Sequence, residues 1–403
     1  MVSGHITILT AGSCLPARLR QNDGMVRKST VVAVRIADVI ANAAAALQCG
    51  KLVALPTETV YGLGADASNP DAVRKIFAAK GRPAEHPLIV HIADHAALEP
   101  LAIDIPAAAH QLAAKFWPGP LTLILKRSAR IPLVVTGGQE TVGIRCPSHP
   151  LAQALLLAFA KIGSGVVAAP SANKFGHVSP TSAQHVRDEF GAEIGKSILL
   201  LDGGACEVGI ESTILDLTRA HPVLLRPGAI SRAQICDVIG AMPLTREEYE
   251  AKISKTGGKP LIERRKIPRP PSNDTPRVSG SLAAHYAPMT PLRLLTASAL
   301  SAELDALLDQ GKRVAVLAFA AKPRLKPSPI GVGARNARPL MWIAAEKDAV
   351  GYAQSLYANL RTLDAAATAM ILVETPPTSV PWEAVNDRLS RAALGSGRHS
   401  DSR

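Results

Sequence analysis

Aromatic side chains are scarce: Phe, Tyr and Trp together make up 3% of the 403 residues. A chain this poor in rings has no ladder on which to stack a long nucleic-acid strand. Stacking-based RNA binding is therefore disfavoured, and core volume must come from Ala, Leu, Ile and Val. The five cysteines, Cys14, Cys49, Cys146, Cys206 and Cys236, form no C-x-x-C pair and show no paired His spacing. That argues against a zinc motif and a disulfide framework and points to a reducing compartment. Long apolar runs are missing too. The longest helix-like one, Leu151 to Ala160, is about half of the roughly 20 residues a bilayer requires. No basic segment precedes the mildly apolar stretch His5 to Leu15, so neither a membrane span nor a signal peptide is expected. Absent as well are G-x-x-x-x-G-K-[ST], a G-x-G-x-x-G after a strand, and G-x-S-x-G. P-loop kinases, Rossmann dehydrogenases and serine hydrolases thereby lose their usual support.

What is present favours a two-domain globular enzyme. The length and the 47% hydrophobic content allow one or two sizeable cores. The formal charge of +12 is dispersed, with local density from Lys252 to Arg277 and in the C-terminal tail, so solvated surface charge accounts for most of it ahead of a dedicated RNA face. Apolar runs at 52–55, 88–92, 121–125, 142–145, 166–169, 198–201, 212–217 and 223–225 read as strands alternating with helices, an α/β plan. The clearest helix has Asn69 as cap, Pro70 at its first position, Val73, Ile76 and Phe77 on one face, and a stop at Gly81. Residues 1–28 read as an extension, with Met1 and Met25 both open as the start, 29–240 as the first domain, and 241–288 as a basic Pro/Gly-punctuated linker. Residues 289–396 read as a smaller doubly wound α/β domain, with 397–403 as a tail.

Four segments carry chemistry. The strand Leu52 to Leu55 runs into Pro56-Thr57-Glu58-Thr59-Val60-Tyr61-Gly62, and one helix later Lys80-Gly81-Arg82-Pro83 fixes two cations beside a Gly and a Pro. A cationic helix end alone is ordinary; the flanking Gly and Pro, which a mere surface charge does not need, turn the reading toward an anion-binding cleft. Pro170-Ser171-Ala172-Asn173 follows a strand, with Ser179-Pro180-Thr181 beyond it, where Thr181 is best read as a plain helix cap. Thr141-Val142-Gly143-Ile144-Arg145 puts an Arg at a strand end, equally readable as an edge charge. Glu211-Ser212-Thr213-Ile214 is followed by Arg226-Pro227-Gly228. His91 interrupts an apolar strand, and a satisfied core histidine and a site residue are equally good readings. Cations and hydroxyls at strand ends lie where open α/β sheets bind ligands. Without an activated nucleophile, such a cleft suits ordered anion binding and electrostatic stabilisation, as in nucleotidyl transfer to a carboxylate or carbamate.

These motifs, in their order and spacing from about Val31 to Gly395, resemble the YrdC-like family. His285-Tyr286-Ala287-Pro288 and Ala384-Val385-Asn386-Asp387-Arg388-Leu389 resemble the linker and second domain of its long members. The resemblance implies a twisted open mixed sheet with helices plus a Rossmann-like C-terminal domain. It also implies synthesis of threonylcarbamoyl-adenylate from L-threonine, bicarbonate and ATP with release of pyrophosphate, in the cytoplasm. The product would pass to the machinery that modifies the adenosine beside the anticodon of tRNA; whether tRNA is bound directly stays open. By the same resemblance Thr57, His91, Arg145, Ala169 and Ser212 would surround threonine. Lys80, Arg82, Thr141, Ser171, Asn173, Ser179, Arg226 and Tyr286 would face ATP, with Lys80 and Arg82 neutralising the pyrophosphate. Mg²⁺ would accompany the phosphates, although no carboxylate cluster predicts its ligands. The 241–288 linker is also expected to act as a lid, and two departures concern it: His86 stands where many relatives carry Asn, and Val278-Ser279-Gly280-Ser281-Leu282-Ala283-Ala284 replaces a Pro-Gly-Met-Lys run before the His-Tyr. The competing reading is an RNA-binding or ribosome-associated module of the same fold without synthase activity.

Overall fold

The computed structural model describes residues 26–255, 276–280, 282–322 and 340–397. Eleven strands build the larger sheet: β1 (Leu52–Leu55), β2 (Gly62–Asp66), β3 (Ile89–His91), β4 (Ala102–Ile103), β5 (Leu121–Arg127), β6 (Thr141–Arg145), β7 (Val167–Ala168), β8 (Ile198–Leu200), β9 (Thr213–Asp216), β10 (Val223–Arg226) and β11 (Leu244–Thr245). Their order is β11-β10-β9-β5-β6-β3-β7-β2-β1-β8, with β4 joined to β5. The sheet is mixed: β3 runs parallel to β6 and β5 to β9, whereas β1–β2, β3–β7, β5–β6 and β9–β10 are antiparallel.

Helices cover both faces. They are α1 (Val26–Gln48), α2 (Pro70–Lys80), α3 (Ala107–Phe116), α4 (Leu133–Thr136), α5 (Pro150–Ile162), α6 (Ala183–Phe190), α7 (Arg232–Ile239) and α8 (Arg246–Lys255). Side chains alternate across a strand, and β1 uses both directions. Val53 and Leu55 join Leu47 of α1 and Phe159 of α5 in one core, while Leu52 and Ala54 join Ile76 of α2 and Leu112 of α3 in the other.

The second sheet is all-parallel: β12 (Leu292–Leu295), β13 (Val314–Ala318), β14 (Leu340–Ala344) and β15 (Met370–Glu374), in the order β12-β15-β13-β14. The helix α9 (Ala297–Asp309) packs Leu304 and Leu307 on Val314 and Val316. Helices α10 (Ala349–Ala365) and α11 (Glu383–Gly395) pack Tyr357, Leu360 and Leu389 among Ala315 and Leu317 on the opposite face. This is the doubly wound arrangement expected from the sequence. The core beneath α10 also takes in Val60, Val178 and Ile210 of the first unit, so the two units share buried apolar surface.

The α2 helix forms as its sequence dictates. The Asn69 side chain accepts from the amides of Asp71 and Ala72, Pro70 opens the first turn, and Gly81 at φ 62° closes the helix in the left-handed region, which glycine enters without a Cβ penalty. Two elements differ from the expectation. Gly62–Asp66, whose glycines suggest a turn, is strand β2; a Cβ on Gly64 would lie 2.8 Å from Val167 Cγ1, so glycine here permits close strand approach. The stretch expected to be a plain linker from residue 241 opens with β11, which extends the sheet beside β10, and with α8. Residues 256–275 lie outside the described set.

Candidate active site

A cleft opens at the C-terminal ends of β1, β3, β6, β7 and β10 and at the start of β9. Thr57, His91, Arg145, Ala169, Ser171, Ser212, Arg226 and Tyr286 line it together. The turn after β1 is built around the Thr57 hydroxyl, which donates to the Val60 carbonyl at 2.6 Å and accepts from the Thr59 and Val60 amides. The Thr59 hydroxyl lies 2.8 Å from it and accepts from Arg145 at 2.9 Å. A hydroxyl has one proton to give, so donation runs in one direction, from Arg145 through Thr59 and Thr57 to the Val60 carbonyl. Arg145 also pairs with Glu58 at 2.6 Å, both side chains being almost wholly buried. The second Glu58 oxygen accepts from the Ser148 amide. Breaking such a buried pair strands a charge in low dielectric and is strongly destabilising.

His91 sits beside this pair with Nδ1 3.2 Å from the Ile89 carbonyl. Burial first and the Arg145 charge second push its proton affinity down to about 3, so the imidazole is neutral at physiological pH. On the far wall the Ser212 hydroxyl lies 2.7 Å from that of Thr122 and accepts from Arg226 at 3.2 Å, while Arg226 Nε donates to the Ser212 carbonyl at 3.0 Å. The β9–β10 register shifts between Leu224 and Arg226, the kind of bulge that re-aims a side chain next to a site.

The Lys80–Arg82 pair is not the solvated helix end that a cationic terminus ordinarily makes. Both residues are buried. The Lys80 ammonium donates to the carbonyls of Ser171, at 2.6 Å, and Asn173. Arg82 donates to the Pro87 carbonyl at 3.0 Å and lies 5.8 Å from the Phe175 ring centroid. Burial, and then the mutual repulsion of the two cations, holds Lys80 well below the ordinary lysine range, whereas burial alone lowers Arg82 to about 10. With Asn173 and Ser179, these two stand behind the lining residues rather than among them. The Asn173 amide nitrogen donates to the Lys174 and His177 carbonyls, and its buried Oδ1 has no partner among the described residues. Thr141 lines a smaller adjoining pocket, which shares Ile89 and Ser279 with the cleft.

Tyr286 is buried with φ at 60° and its hydroxyl has no partner among the described residues. Its ring packs against His285 and Tyr357, with centroids 4.1 and 5.6 Å away. Burial first, and the Glu211 charge next, raise its hydroxyl to about 12. His285, held down at about 3 by burial, feels the opposing fields of Glu211 and of Arg82, Lys80 and Arg226. The segment thus places two neutral rings among three cations.

Sequence reasoning passed over four residues. Glu58 and Thr122 lie inside runs quoted for their neighbours, and Glu211 was noted only as part of a motif. Arg388 sits in a second-domain segment that carried no site expectation. Glu58 stands in a hydroxyl-rich turn, and Arg388 falls on the helix face shared by Ala384, Val385, Leu389 and Ala392; those were the available signals. No group of three or more His, Cys, Asp or Glu among the described residues is placed to hold a metal ion. No described helix is long and apolar enough to cross a membrane.

Comparison with known proteins gives this site a context. Residues 45–228 match a family model that joins Sua5, YciO and YrdC and is described as "Telomere recombination". Residues 230–394 match one described as "Threonylcarbamoyl-AMP synthase, C-terminal domain". A threonylcarbamoyl-AMP synthase from Bacillus subtilis is 40% identical over 88% of this chain and 93% of its own length. One from Pyrococcus abyssi is 38% identical over 87% and 93%. The crystal structure of P. abyssi Sua5 complexed with L-threonine superimposes with a TM-score of 0.70 at 37% identity, covering 88% of this chain and 94% of that one. The chain belongs to the threonylcarbamoyl-AMP synthase family.

Proposed function

We propose that the cleft joins L-threonine, bicarbonate and ATP into threonylcarbamoyl-AMP, releasing pyrophosphate, and that the product serves cytoplasmic tRNA modification beside the anticodon. The observation that carries this reading is the composition of one cleft. Buried hydroxyls of Thr57 and Ser212, the neutral His91 and the Glu58-paired Arg145 face Arg226, and Lys80 and Arg82 stand directly behind. That set suits an amino acid at one end and a polyphosphate at the other. Threonine's amine forms a C–N bond with the carbon of bicarbonate as a C–O bond breaks and water leaves, or with that of CO2 as one C=O π bond opens and the amine proton passes to solvent. The carbamate oxygen then bonds to the α-phosphorus as the bond to the β-phosphate breaks. Arg145 and the Thr57–Thr59 turn would orient threonine. Lys80, Arg82 and Arg226 would take up the charge that grows on the leaving pyrophosphate. No covalent enzyme intermediate is needed.

Mg²⁺ is expected with the nucleotide, but the donor set offers it no protein cage. Glu58 is paired with Arg145, and Glu211 accepts from Ser179, Tyr357 and Arg388. The ion would be held by the nucleotide's phosphates. Nucleotide entry in this reading requires the His285–Tyr286 segment to leave its place among the three cations and to return over the intermediate, a mixed anhydride that water would destroy. The test is the product itself: incubation with ¹³C-bicarbonate, threonine and ATP should yield a nucleotide whose mass rises by the one labelled carbon. AMP without that adduct would refute the proposal.

A further inference from the structure

We infer that Arg388, in the second domain, is a positioning residue for the nucleotide end of the cleft, acting through Glu211 and Pro227; this rests on the function proposed above. The guanidinium is completely buried. Its Nε donates to Glu211 Oε2 at 2.8 Å and one terminal nitrogen donates to the Pro227 carbonyl at 3.0 Å, while the other pairs with Asp387 at 2.6 Å. Glu211 precedes Ser212 and Pro227 follows Arg226, so one side chain ties together the chain ends that carry two cleft residues. Glu211 accepts from the Ser179 hydroxyl at 2.6 Å through its other oxygen, which brings a second candidate nucleotide residue, after Arg226, into the same network. Tyr357 of α10 donates to Oε2 at 2.9 Å, and the Arg388 guanidinium carbon lies 5.4 Å from the Tyr286 ring centroid. The first unit supplies the carboxylate and the second supplies two of its three side-chain donors. A plain interdomain pin would need no such aim at four site residues.

The charges around Glu211 are known from every side: Arg226 on β10, Arg388 and Asp387 on α11, and the neutral Ser179, Tyr357, His285 and Tyr286. Burial drives its carboxyl up, but Arg388 and then Arg226 overcome this and hold it at about 2. Removing Arg388 therefore lets the carboxyl titrate at higher pH, and protonation weakens the charge-assisted bonds it accepts from the Ser179 and Tyr357 hydroxyls.

The test compares the parent chain with Arg388→Met, Arg388→Met/Glu211→Gln and Tyr357→Phe, all full length, by pyrophosphate release and by threonine calorimetry. Arg388→Met should raise the KM for ATP about tenfold, the scale of one lost charge-assisted bond, and weaken threonine, whose candidate contact Ser212 adjoins Glu211, by a smaller factor. It should add an acid limb to the pH profile that the parent lacks and that the double variant abolishes. A folded Arg388→Met protein with parental KM for ATP and an unchanged profile overturns the inference. If Arg388→Met fails to fold, Tyr357→Phe decides: a raised KM for ATP supports the role, and a parental one overturns it. A parent chain that releases no pyrophosphate would instead sink the underlying function.

Discussion

At the scale of single residues, the main correction concerns Lys80. From sequence it is a helix-end cation kept in place by Gly81. In the structure the last turn of α2 lies under the Ser171–Asn173 turn, whose carbonyls collect the ammonium. That contact joins segments 91 residues apart, so no local pattern announces it. Because burial lowers the proton affinity of Lys80, a polyphosphate arriving beside it should restore the proton. ATP binding should then take up protons at pH values between the lowered and restored affinities, seen as a dependence of calorimetric enthalpy on buffer ionisation heat. No such dependence in the parent, or one that survives in Lys80→Met, would contradict the placement. His91 yields a second expectation, about stability. Its affinity of about 3 in the folded chain against 6.5 in the unfolded one means that the unfolded chain binds the extra proton within that window. Its stability contribution is full above pH 6.5 and is lost as pH falls toward 3. Between pH 7.5 and 5 one such histidine contributes about 2 kcal/mol, so denaturant unfolding of His91→Leu should show a correspondingly flatter pH dependence. An identical slope would show that His91 is not the neutral buried ring described. Specificity belongs at this scale too: valine, lacking the hydroxyl, should be rejected more strongly than serine, which lacks a methyl. Comparable turnover of valine and threonine would contradict a threonine pocket built on Thr57 and Ser212.

At the scale of elements, the sequence was most legible where local chemistry decides. The α2 helix carries its cap, its Pro and its terminal Gly in the chain itself. The apolar runs of β1, β5 and β13 are long enough to identify. Strand β2 was not legible, because its glycines answer to a neighbour, Val167, that only the fold brings close. The 276–280 segment extends this lesson. Gly280 has φ 77°, and a Cβ there would lie 2.0 Å from the Tyr286 hydroxyl. A Gly280→Ala chain should therefore stay folded yet seat Tyr286 poorly, and a larger share of the ATP it consumes should appear as free AMP from hydrolysed intermediate. An unchanged share would argue that Tyr286 has no part in excluding water.

At the scale of the whole molecule, the second domain is more than an appendage. Arg361 donates to the Ser179 and Val178 carbonyls and pairs with Glu189 at 2.8 Å, and Tyr357, one turn earlier on α10, reaches Glu211. The doubly wound fold was readable from alternating strands and helices; these cross-domain bonds were not, since they depend on how two sheets are docked. A fragment ending at Lys255 keeps β11 but exposes Val60, Val178 and Ile210 and strips Glu211 of two donors. It should fold with lowered stability and synthesise far more weakly than the full chain; full activity would contradict a shared site. The central claim is the reaction, and its most direct measurement is pyrophosphate release from ATP with threonine and bicarbonate supplied together and singly. The account predicts release only when both are present; release at the same rate without either one would contradict it.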